Sequence, residues 1–374
     1  MSWEVLVIGG GVTGWSVAHH LARSGVRKVL VVDRGGGSTE RATGGIRAQF
    51  GTEINVRLSL LSLQKLRRFE AETGVDPGYR GSGYLFLAGT EKQRRQLAEA
   101  IEVQRAAGSR DAALLGLDEV RRLVPWVVPE GVVGGSFSRR DGFLRPLDIR
   151  RGYLESALRD GVQRLEAEVS GLDASAAGIR VHTPAGVQEA KVVVNAAGAW
   201  AAQVGAMLGA EVPVHPLRRQ VAVTEITETL PADAPLTVFP DGFHFRVRDG
   251  RVLLLWPSEG GADPFDLSVE PQWIRQVLAA ARRRIPALAT VGVESTYAGL
   301  YEMTPDEHAL LGPAPGVERL FLVTGSSGHG VMHAPALGQL AAEMLTGKQP
   351  TLDVHPLRPG RFLEGRPNPV RSLL

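Results

Sequence analysis

The strongest constraint on the fold is a short apolar run that leads directly into a cluster of glycines. Residues 4–8 (EVLVI) read as a buried parallel strand, and glycines follow at positions 9, 11 and 14. This spacing permits a tight turn, close approach of the backbone to a pyrophosphate, and close packing of the next helix. A second strand at 29–32 ends in Asp33, about twenty residues past the last glycine, where a carboxylate can bind ribose hydroxyls. The order strand, glycines, helix, strand and acid predicts a dinucleotide-binding domain.

A second glycine-rich turn lies near the other end of the chain. The apolar run at 320–323 leads into TGSSGHG at 324–330, and an apolar-periodic segment follows. In both turns the backbone N–H groups and the positive end of a helix are expected to face an electron-rich ligand group. The first turn alone does not distinguish FAD from NAD. One ligand that spans both turns is long and anionic, and FAD fits that description.

Composition excludes several classes of protein and of site. The chain has 374 residues, a formal net charge of +2 and interspersed acidic and basic residues, which predicts two globular domains and no nucleic-acid-binding face. The densest basic run, Arg282 to Arg284, reads as a solvated helix end. No apolar segment approaches the roughly 18 residues of a membrane span, and no signal peptide is evident, so a cytoplasmic location is expected. The absence of cysteine excludes disulfides, thiolate metal sites and a cysteine-linked cofactor.

The pattern of predicted elements divides the chain into two interleaved domains. A discontinuous Rossmann-like FAD-binding domain is expected at 1–75, 146–212 and 297–374. An inserted antiparallel-β substrate domain is expected at 76–145 and 213–296, where period-two patterns dominate the second part. The fold class is therefore α/β plus α+β. The local predictions include a helix from about 55 to 73, a helix at 150–161 and a strand at 166–169.

Motifs spread over nearly the whole chain resemble those of one enzyme superfamily. Besides the two glycine turns and Asp33, they are ATGGIR at 42–47, VVNAAGAW at 193–200, PLRRQ at 216–220 and AGLYEMTPD at 298–306. The chain resembles the D-amino-acid oxidase superfamily of FAD enzymes, and within it the branch of sarcosine oxidases, sarcosine and dimethylglycine dehydrogenases and the FAD subunits of bacterial proline dehydrogenases. The resemblance implies oxidation of an amino acid at its C–N bond, with hydride transfer to flavin N5 and hydrolysis of the imine product.

The same resemblance implies which side chains meet the substrate. Arg47 matches a carboxylate-binding arginine, and a guanidinium can bind a carboxylate bidentately; a structural ion pair is the alternative. Tyr301 matches a substrate-side tyrosine, with a packed core tyrosine as the alternative. His244 alternates with two phenylalanines along one strand, so it faces the opposite side from them, and we predict that it lines the pocket.

The residues expected to bind FAD come from several separate segments. They are Gly9, Gly11, Val12, Thr13, Gly14, Asp33, Arg34, Thr43, Gly44, Gly45, Val169, Ala197, Gly198, Trp200, Ser327, Gly328, His329, Gly330, Val331 and Met332. Backbone amides at 328–332 are expected to stabilise negative charge at flavin N1 and C2=O. His329 is expected to form a local hydrogen bond within its turn rather than to act as an acid or base.

Three positions depart from the sarcosine oxidase pattern. Gly299 stands where those enzymes attach flavin through cysteine, so FAD is expected to be bound non-covalently. Met332 replaces a lysine that binds the substrate carboxylate, and Leu254 falls near the lysine that activates oxygen. Residues 192–347 contain no lysine at all. Electron transfer to a quinone or an acceptor protein is therefore favoured over transfer to oxygen. Transfer to oxygen stays the alternative, with Arg246 or a protonated His244 as the replacement for the lysine, and membership of a larger complex stays open.

The predicted function is that of an FAD-dependent amine oxidoreductase acting on a small secondary or N-methylated amino acid, sarcosine-like or proline-like. Three alternatives stay open. They are a glycine or D-amino-acid oxidase, a non-catalytic flavoprotein that serves electron transfer or assembly, and an NAD-dependent dehydrogenase, which the turn at 327–330 disfavours.

Overall fold

The computed structural model describes residues 2–258, 263–371 and 373. In chain order the strands are β1 (Ser2–Ile8), β2 (Val29–Asp33), β3 (Gly45–Ile46), β4 (Tyr84–Ala88), β5 (Ala112–Gly116), β6 (Gly134–Ser138), β7 (Gly142–Phe143), β8 (Gln163–Glu166), β9 (Gly171–Ala174), β10 (Ile179–Thr183), β11 (Gly186–Asn195), β12 (His215–Thr224), β13 (Leu236–Val238), β14 (His244–Arg248), β15 (Arg251–Leu255), β16 (Val293–Met303), β17 (Leu310–Ala314) and β18 (Val317–Thr324). The α-helices are α1 (Val12–Arg23), α2 (Glu53–Leu66), α3 (Phe69–Thr73), α4 (Glu91–Ala106), α5 (Leu117–Leu123), α6 (Pro146–Arg159), α7 (Ala201–Ala206), α8 (Pro271–Arg284) and α9 (Gly330–Leu345).

The first sheet forms the Rossmann-like half of the molecule. Its order is β17-β18-β11-β1-β2-β8, and β10 and β9 extend it from β11. β1 pairs in parallel with both β2 and β11. Val5 and Val7 pack on the face covered by α1, α6 and α9, whereas Leu6 and Ile8 pack in the core of the opposite face. Because both faces of β1 are buried, its sequence is apolar throughout, and the predicted dinucleotide-binding fold is confirmed.

The second sheet draws its strands from two distant parts of the chain. Its order is β16-β12-β15-β14-β13-β4-β6-β5. Its pairs are antiparallel except for β13 and β4, which run parallel. The predicted antiparallel sheet is therefore confirmed for the other pairs and differs from the structure at this junction. The β4-β6-β5 group precedes α6 in the chain and joins the later group edge to edge, and two groups brought together in this way need not be antiparallel.

The division into two domains stays a prediction. One of its boundaries, between residues 296 and 297, falls inside β16, which pairs with β12 of the second sheet from Val293 to Met303. We place that boundary after Met303, because a strand cannot be divided between two sheets in the middle of its ladder. The outermost residues of the division, Met1 and Leu374, lie outside the described residues.

Several local predictions differ from the structure. The helix expected at 55–73 is two helices, α2 and α3. The helix expected at 150–161 begins earlier, at Pro146, whose fixed φ suits a first helical turn. The strand expected at 166–169 is β8, shifted to 163–166 so that it pairs with β2. These are boundary errors, which tertiary pairing decides rather than local sequence.

The basic run at the end of α8 is not simply solvated. Arg284 donates to both carboxylate oxygens of Asp241, one at 2.7 Å, and its guanidinium lies 4.3 Å from the ring centroid of Phe239. Its side chain is 12% exposed. Arg284 therefore joins α8 to the β13–β14 turn. Within the described residues, no helix has the length and apolarity needed to cross a membrane.

Candidate active site

A cavity of about 570 Å³ is lined by residues from both sheets. Its volume falls within the range of small-molecule and cofactor sites, roughly 300–1,000 Å³. Both glycine-rich turns line it, together with Arg47, Tyr301 and His244. Every residue expected to bind FAD lines this cavity except Gly14. The sequence thus brings together residues from both ends of the chain, while their individual roles stay predictions.

The first glycine turn has no room for side chains at two of its glycines. Gly9 has φ +104°, and a Cβ there would lie 2.3 Å from the carbonyl oxygen of Ala196. A Cβ on Gly14 would lie 1.8 Å from the carbonyl oxygen of Gly9. Gly14 therefore allows α1 to pack tightly against the turn, and it contributes to the site without lining it. This agrees with the close helix packing expected of the third glycine, and its role in FAD binding stays a prediction.

Two helices begin at the cavity. Gly11 precedes α1 and His329 precedes α9, and neither provides a side-chain hydrogen bond to the first turn of its helix. The N–H of Val12 donates to Thr39 Oγ1 at 3.0 Å. Exposed amides at a helix start carry partial positive charge, so both ends of the cavity suit electron-rich groups.

Asp33 marks the end of the cavity expected to hold adenosine. A Cβ on Gly10 would lie 2.7 Å from the Asp33 carboxylate, so the glycine lets the acid approach the turn. Arg150 Nη2 lies 3.5 Å from Asp33 Oδ2. At the same end the guanidinium of Arg34 lies 4.7 Å from the ring centroid of Trp200. A glycine cradle, a carboxylate for ribose and flat side chains fit the nucleotide half of FAD.

Arg47 follows β3 and enters the cavity at the other end. Its Nη1 donates to the carbonyl of Gln49, and its Nη2 donates to His329 Nε2 at 3.2 Å. The guanidinium stacks 3.9 Å from the ring centroid of Phe50. Burial lowers the pKa of Arg47. The charges of Asp141 and Glu307 reach Arg47, but no carboxylate in the described ranges forms an ion pair with it, which argues against the structural ion-pair alternative.

A buried hydrogen-bond network fixes the backbone around Arg47. The N–H of Ala48 donates to Asp141 Oδ1 at 2.8 Å, and Gln49 Nε2 donates to Asp141 Oδ2 at 3.0 Å. Ser136 Oγ donates to Gln49 Oε1 at 2.8 Å. Burial raises the pKa of Asp141 to about 6, although these hydrogen bonds oppose the shift. The guanidinium is therefore presented from a rigid frame, which lowers the entropy cost of binding an anion.

His329 forms the expected hydrogen bond within its turn and also contacts Arg47. Its backbone N–H donates to the Ser326 carbonyl at 2.8 Å, as a turn residue does. Its ring accepts a hydrogen bond from Arg47, and an arginine can only donate, so Nε2 carries no proton. Burial, and then the charge of Arg47, hold the pKa of His329 well below its usual range. His329 is therefore neutral and helps to orient Arg47.

Tyr301 packs directly on the second glycine turn. Gly328 has φ +85°, and a Cβ there would lie 2.5 Å from the Tyr301 ring. Any larger residue at 328 would displace the ring or the turn. Burial raises the pKa of Tyr301, so its hydroxyl keeps its proton at neutral pH. A protonated phenol at this position can donate a hydrogen bond to a bound ligand.

The second sheet provides the floor of the cavity. β12 places Leu217 opposite Tyr301 and Arg219 opposite Gly299, so Arg219 and Tyr301 are diagonal neighbours on one face. His244 is opposite Leu255 on the same face, which confirms the predicted alternation with Phe243 and Phe245. Burial lowers the pKa of His244 to about 4, and its Nδ1 lies 2.9 Å from the Gly242 carbonyl.

The apolar stretch around Leu254 meets the cavity one residue later than expected. Leu254 pairs with Phe245 and packs in the core on the far face of the sheet. Leu255 and Trp256 line the cavity instead. Arg246 is 4% exposed, donates to the Thr43 carbonyl, and lies 3.7 Å from the ring centroid of Phe143. It does not line the cavity. Neither candidate replacement for the missing lysine therefore places a positive charge in the cavity. His244 is neutral, and Arg246 is bound to the Thr43 carbonyl outside the cavity.

Sequence reasoning missed several residues that line the site. They are Tyr84, Arg219, Leu236, Val238, Trp256, Glu302 and Glu307. Arg219 and Glu302 lie within the motifs at 216–220 and 298–306, so the family resemblance could have identified both as site residues. Leu236, Val238 and Tyr84 gave no such signal, because only the parallel pairing of β13 with β4 brings them to the cavity.

The chain is similar to FAD-dependent oxidoreductases and to amino-acid dehydrogenases. A family model described as FAD dependent oxidoreductase (DAO) matches residues 4–344. FAD-dependent oxidoreductase domain-containing protein 1 from Bos taurus is 32% identical over 97% of this chain and 85% of its own length. Human mitochondrial dimethylglycine dehydrogenase is 27% identical over 96% of this chain but only 44% of its own length. A crystal structure of L-proline dehydrogenase from P. horikoshii superposes with a TM-score of 0.91 at 29% identity, over 98% of this chain and 99% of that chain.

Proposed function

Because this chain belongs to the DAO family of FAD-dependent oxidoreductases, we propose that it oxidises the C–N bond of a small secondary or N-methylated amino acid. The observation that carries the proposal is the Arg47 guanidinium, which lines the cavity beside Tyr301 without a carboxylate ion-pair partner among the residues described. The similarity to a dimethylglycine dehydrogenase and to an L-proline dehydrogenase supports an amino-acid substrate.

The side chains of the site perform three tasks in this proposal. Arg47 binds the substrate carboxylate with two charge-assisted hydrogen bonds, while His329 and the Gln49 carbonyl hold the guanidinium in place. Tyr301 closes the same end of the cavity with a protonated hydroxyl. Positive charge from Arg47 and an apolar wall at Leu255 and Trp256 both disfavour a protonated amine, so the nitrogen keeps the lone pair that oxidation requires.

Bound FAD would supply the acceptor of the hydride that leaves the substrate carbon. The amides at the start of α9 suit the negative charge that accompanies this transfer, because they are oriented before the charge develops. The substrate nitrogen forms a C=N bond as the hydride leaves, and water then hydrolyses the imine.

Anaerobic addition of substrate is expected to bleach the flavin of the purified protein. The panel is sarcosine, proline, dimethylglycine, glycine and D-amino acids, because these differ in substitution at nitrogen and at the α-carbon. Secondary or tertiary amines with one carboxylate should reduce the flavin faster than glycine or D-amino acids. A flavin that no member of the panel reduces would support the non-catalytic alternative, and fastest reduction by glycine or D-amino acids would favour an oxidase of those substrates.

FAD is expected to leave the protein intact when the protein is precipitated with acid. The chain has no cysteine, and Gly299 occupies the position where related enzymes form a thioether, so that link cannot form. The supernatant should therefore be yellow and show the spectrum of FAD. Yellow colour retained in the washed pellet would contradict this and would indicate a covalent bond through another residue.

A further inference from the structure

Arg219 is a further cation of the cavity that the proposed reaction does not use. It extends from β12 on the cavity face of the second sheet, and its side chain is half-buried. Its guanidinium lies 5.5 Å from the ring centroid of Tyr301. Nη1 donates to the carbonyl of Ser258 at 3.2 Å, which is a neutral acceptor. Among the residues that the structure describes, the position of Arg219 is thus fixed by a backbone contact and an aromatic ring rather than by an acid.

Three of the four acidic side chains that line the cavity are engaged elsewhere, and the fourth, Glu307, lies close enough to Arg47 to interact with its charge. Glu168 pairs with Arg34 at 2.5 Å, and Asp33 lies at the same, adenosine end. Glu302 accepts hydrogen bonds from Thr324 Oγ1 at 2.8 Å and from the Ser326 N–H at 3.1 Å. None of the carboxylates in the described ranges forms an ion pair with Arg219. A half-buried guanidinium without a counter-charge is costly unless a ligand brings one.

Arg47 and Arg219 approach Tyr301 from different structural elements. Arg47 comes from the loop after β3, and Arg219 comes from the second sheet. Both guanidiniums lie close enough to the phenol to oppose the rise of its pKa, and Arg219 does so more strongly. A substrate with one carboxylate neutralises only one of these cations. A substrate with anionic groups on both sides of its amine would neutralise both.

We propose that Arg219 binds a second carboxylate, carried on the nitrogen substituent, so that the preferred substrates are amino acids whose secondary amine bears two acidic arms. The inference rests on the proposed function for the role of Arg47 and extends it to the identity of the substrate. Arg219 then decides specificity: it distinguishes a methyl group on nitrogen from a carboxymethyl group. Each bidentate charge-assisted contact is worth roughly two orders of magnitude in affinity.

Two pairs of small molecules test the assignment directly. Sarcosine and iminodiacetate differ only by one carboxylate on the nitrogen substituent. (Methylthio)acetate and thiodiacetate differ in the same way, but sulfur replaces nitrogen, so their binding is read from the perturbed flavin spectrum without any reaction. The wild-type protein is expected to bind the dicarboxylate of each pair at least about tenfold more tightly than the monocarboxylate. Equal binding of the two thioethers, or tighter binding of the monocarboxylate, would overturn the proposal.

Variants then assign the preference to Arg219. Arg219→Gln is expected to bring the ratio of the two affinities close to one, and Arg219→Lys is expected to keep part of it. Arg251→Gln removes an arginine from the same sheet outside the cavity, where it pairs with Glu294, and should leave the ratio unchanged. If Arg219→Gln loses FAD, the ratio of dicarboxylate to monocarboxylate affinity is compared between the wild type and Arg219→Lys instead. A lower ratio in Arg219→Lys supports the proposal, and an unchanged ratio contradicts it.

The remaining outcomes are also decisive. A glutamine variant that keeps the wild-type ratio, or that weakens both members of a pair equally, would make Arg219 a support for the Tyr301 ring. A variant that changes only the rate of reoxidation by oxygen would assign Arg219 to oxygen reduction. Both results contradict the proposal. Failure of the proposed oxidation is distinguishable, because the amines would then leave the flavin unbleached while the thioethers still report binding at Arg219.

Discussion

Replacing Arg47 with alanine is expected to weaken substrate binding by about two orders of magnitude while FAD stays bound. We propose this guanidinium as the ligand of the substrate carboxylate, and the hydrogen bonds of Ala48 and Gln49 to Asp141 hold its backbone frame without the Arg47 side chain. The alanine variant should therefore fold and keep its flavin. Anaerobic titration that follows flavin reduction gives the dissociation constant, and the visible spectrum gives the FAD content.

Two further variants make this test specific. Arg47→Lys keeps the charge but not the planar fork, so it should recover only part of the lost affinity. Arg57→Ala removes an exposed arginine of α2 that pairs with Glu53, and it should bind substrate like the wild type. Normal substrate binding by Arg47→Ala would show that another residue holds the carboxylate. Loss of FAD from that variant would instead assign Arg47 to the cofactor site.

Reoxidation of the substrate-reduced enzyme by oxygen is expected to be at least about tenfold slower than reoxidation by an artificial dye. Oxygen takes up its first electron as superoxide, and a nearby positive charge stabilises that anion. At an effective dielectric constant of about 20, one charge at roughly 6–8 Å contributes about 2–3 kcal/mol. Here the wall at Leu255 and Trp256 is apolar, and His244, whose pKa is about 4, is neutral at physiological pH.

Four guanidiniums line the cavity: Arg34 pairs with Glu168, Arg41 donates to the Ala298 carbonyl, and Arg47 and Arg219 are assigned to substrate carboxylates. While product occupies Arg47 and Arg219, their charges are compensated and offer little to superoxide. Stopped-flow mixing of reduced enzyme with air-saturated buffer, and separately with the dye, measures both rates. Equal rates would make the enzyme an oxidase. Repeating the measurement with Arg219→Gln would then show whether Arg219 replaces the lysine of the related oxidases.

The parts of the site predicted from sequence are those encoded within one strand, turn and helix. Gly9, Gly11 and the turn at 327–330 line the cavity because each turn is tied to the strand before it and the helix after it. Such a unit is local, so its residue spacing alone fixes its geometry. The expectation that one ligand joins both turns followed from chemistry, and the structure places the two turns at one cavity.

The parts that sequence reasoning missed depend on pairing between distant strands. Leu254 was aligned near the oxygen-activating lysine, but the register of β15 against β14 turns Leu254 to the opposite face and presents Leu255 to the cavity. In a strand an error of one residue reverses the side, and only the pairing partner sets the register. Arg219 was missed for the same reason: its proximity to Tyr301 follows from the ladder between β12 and β16.

The parallel pair of β4 with β13 affects the order in which a growing chain can assemble. β4 leaves the ribosome long before its partner, since Tyr84 aligns with Leu236 in this pair. β1 likewise waits for β11, and the turn that begins α9 is made later still. Because chains are synthesised from the N-terminus and such long-range contacts form slowly, neither sheet is complete until most of the protein has emerged. Capture of the flavin is therefore a late event in biogenesis, and until then the nascent chain presents apolar strand edges that chaperones would have to protect.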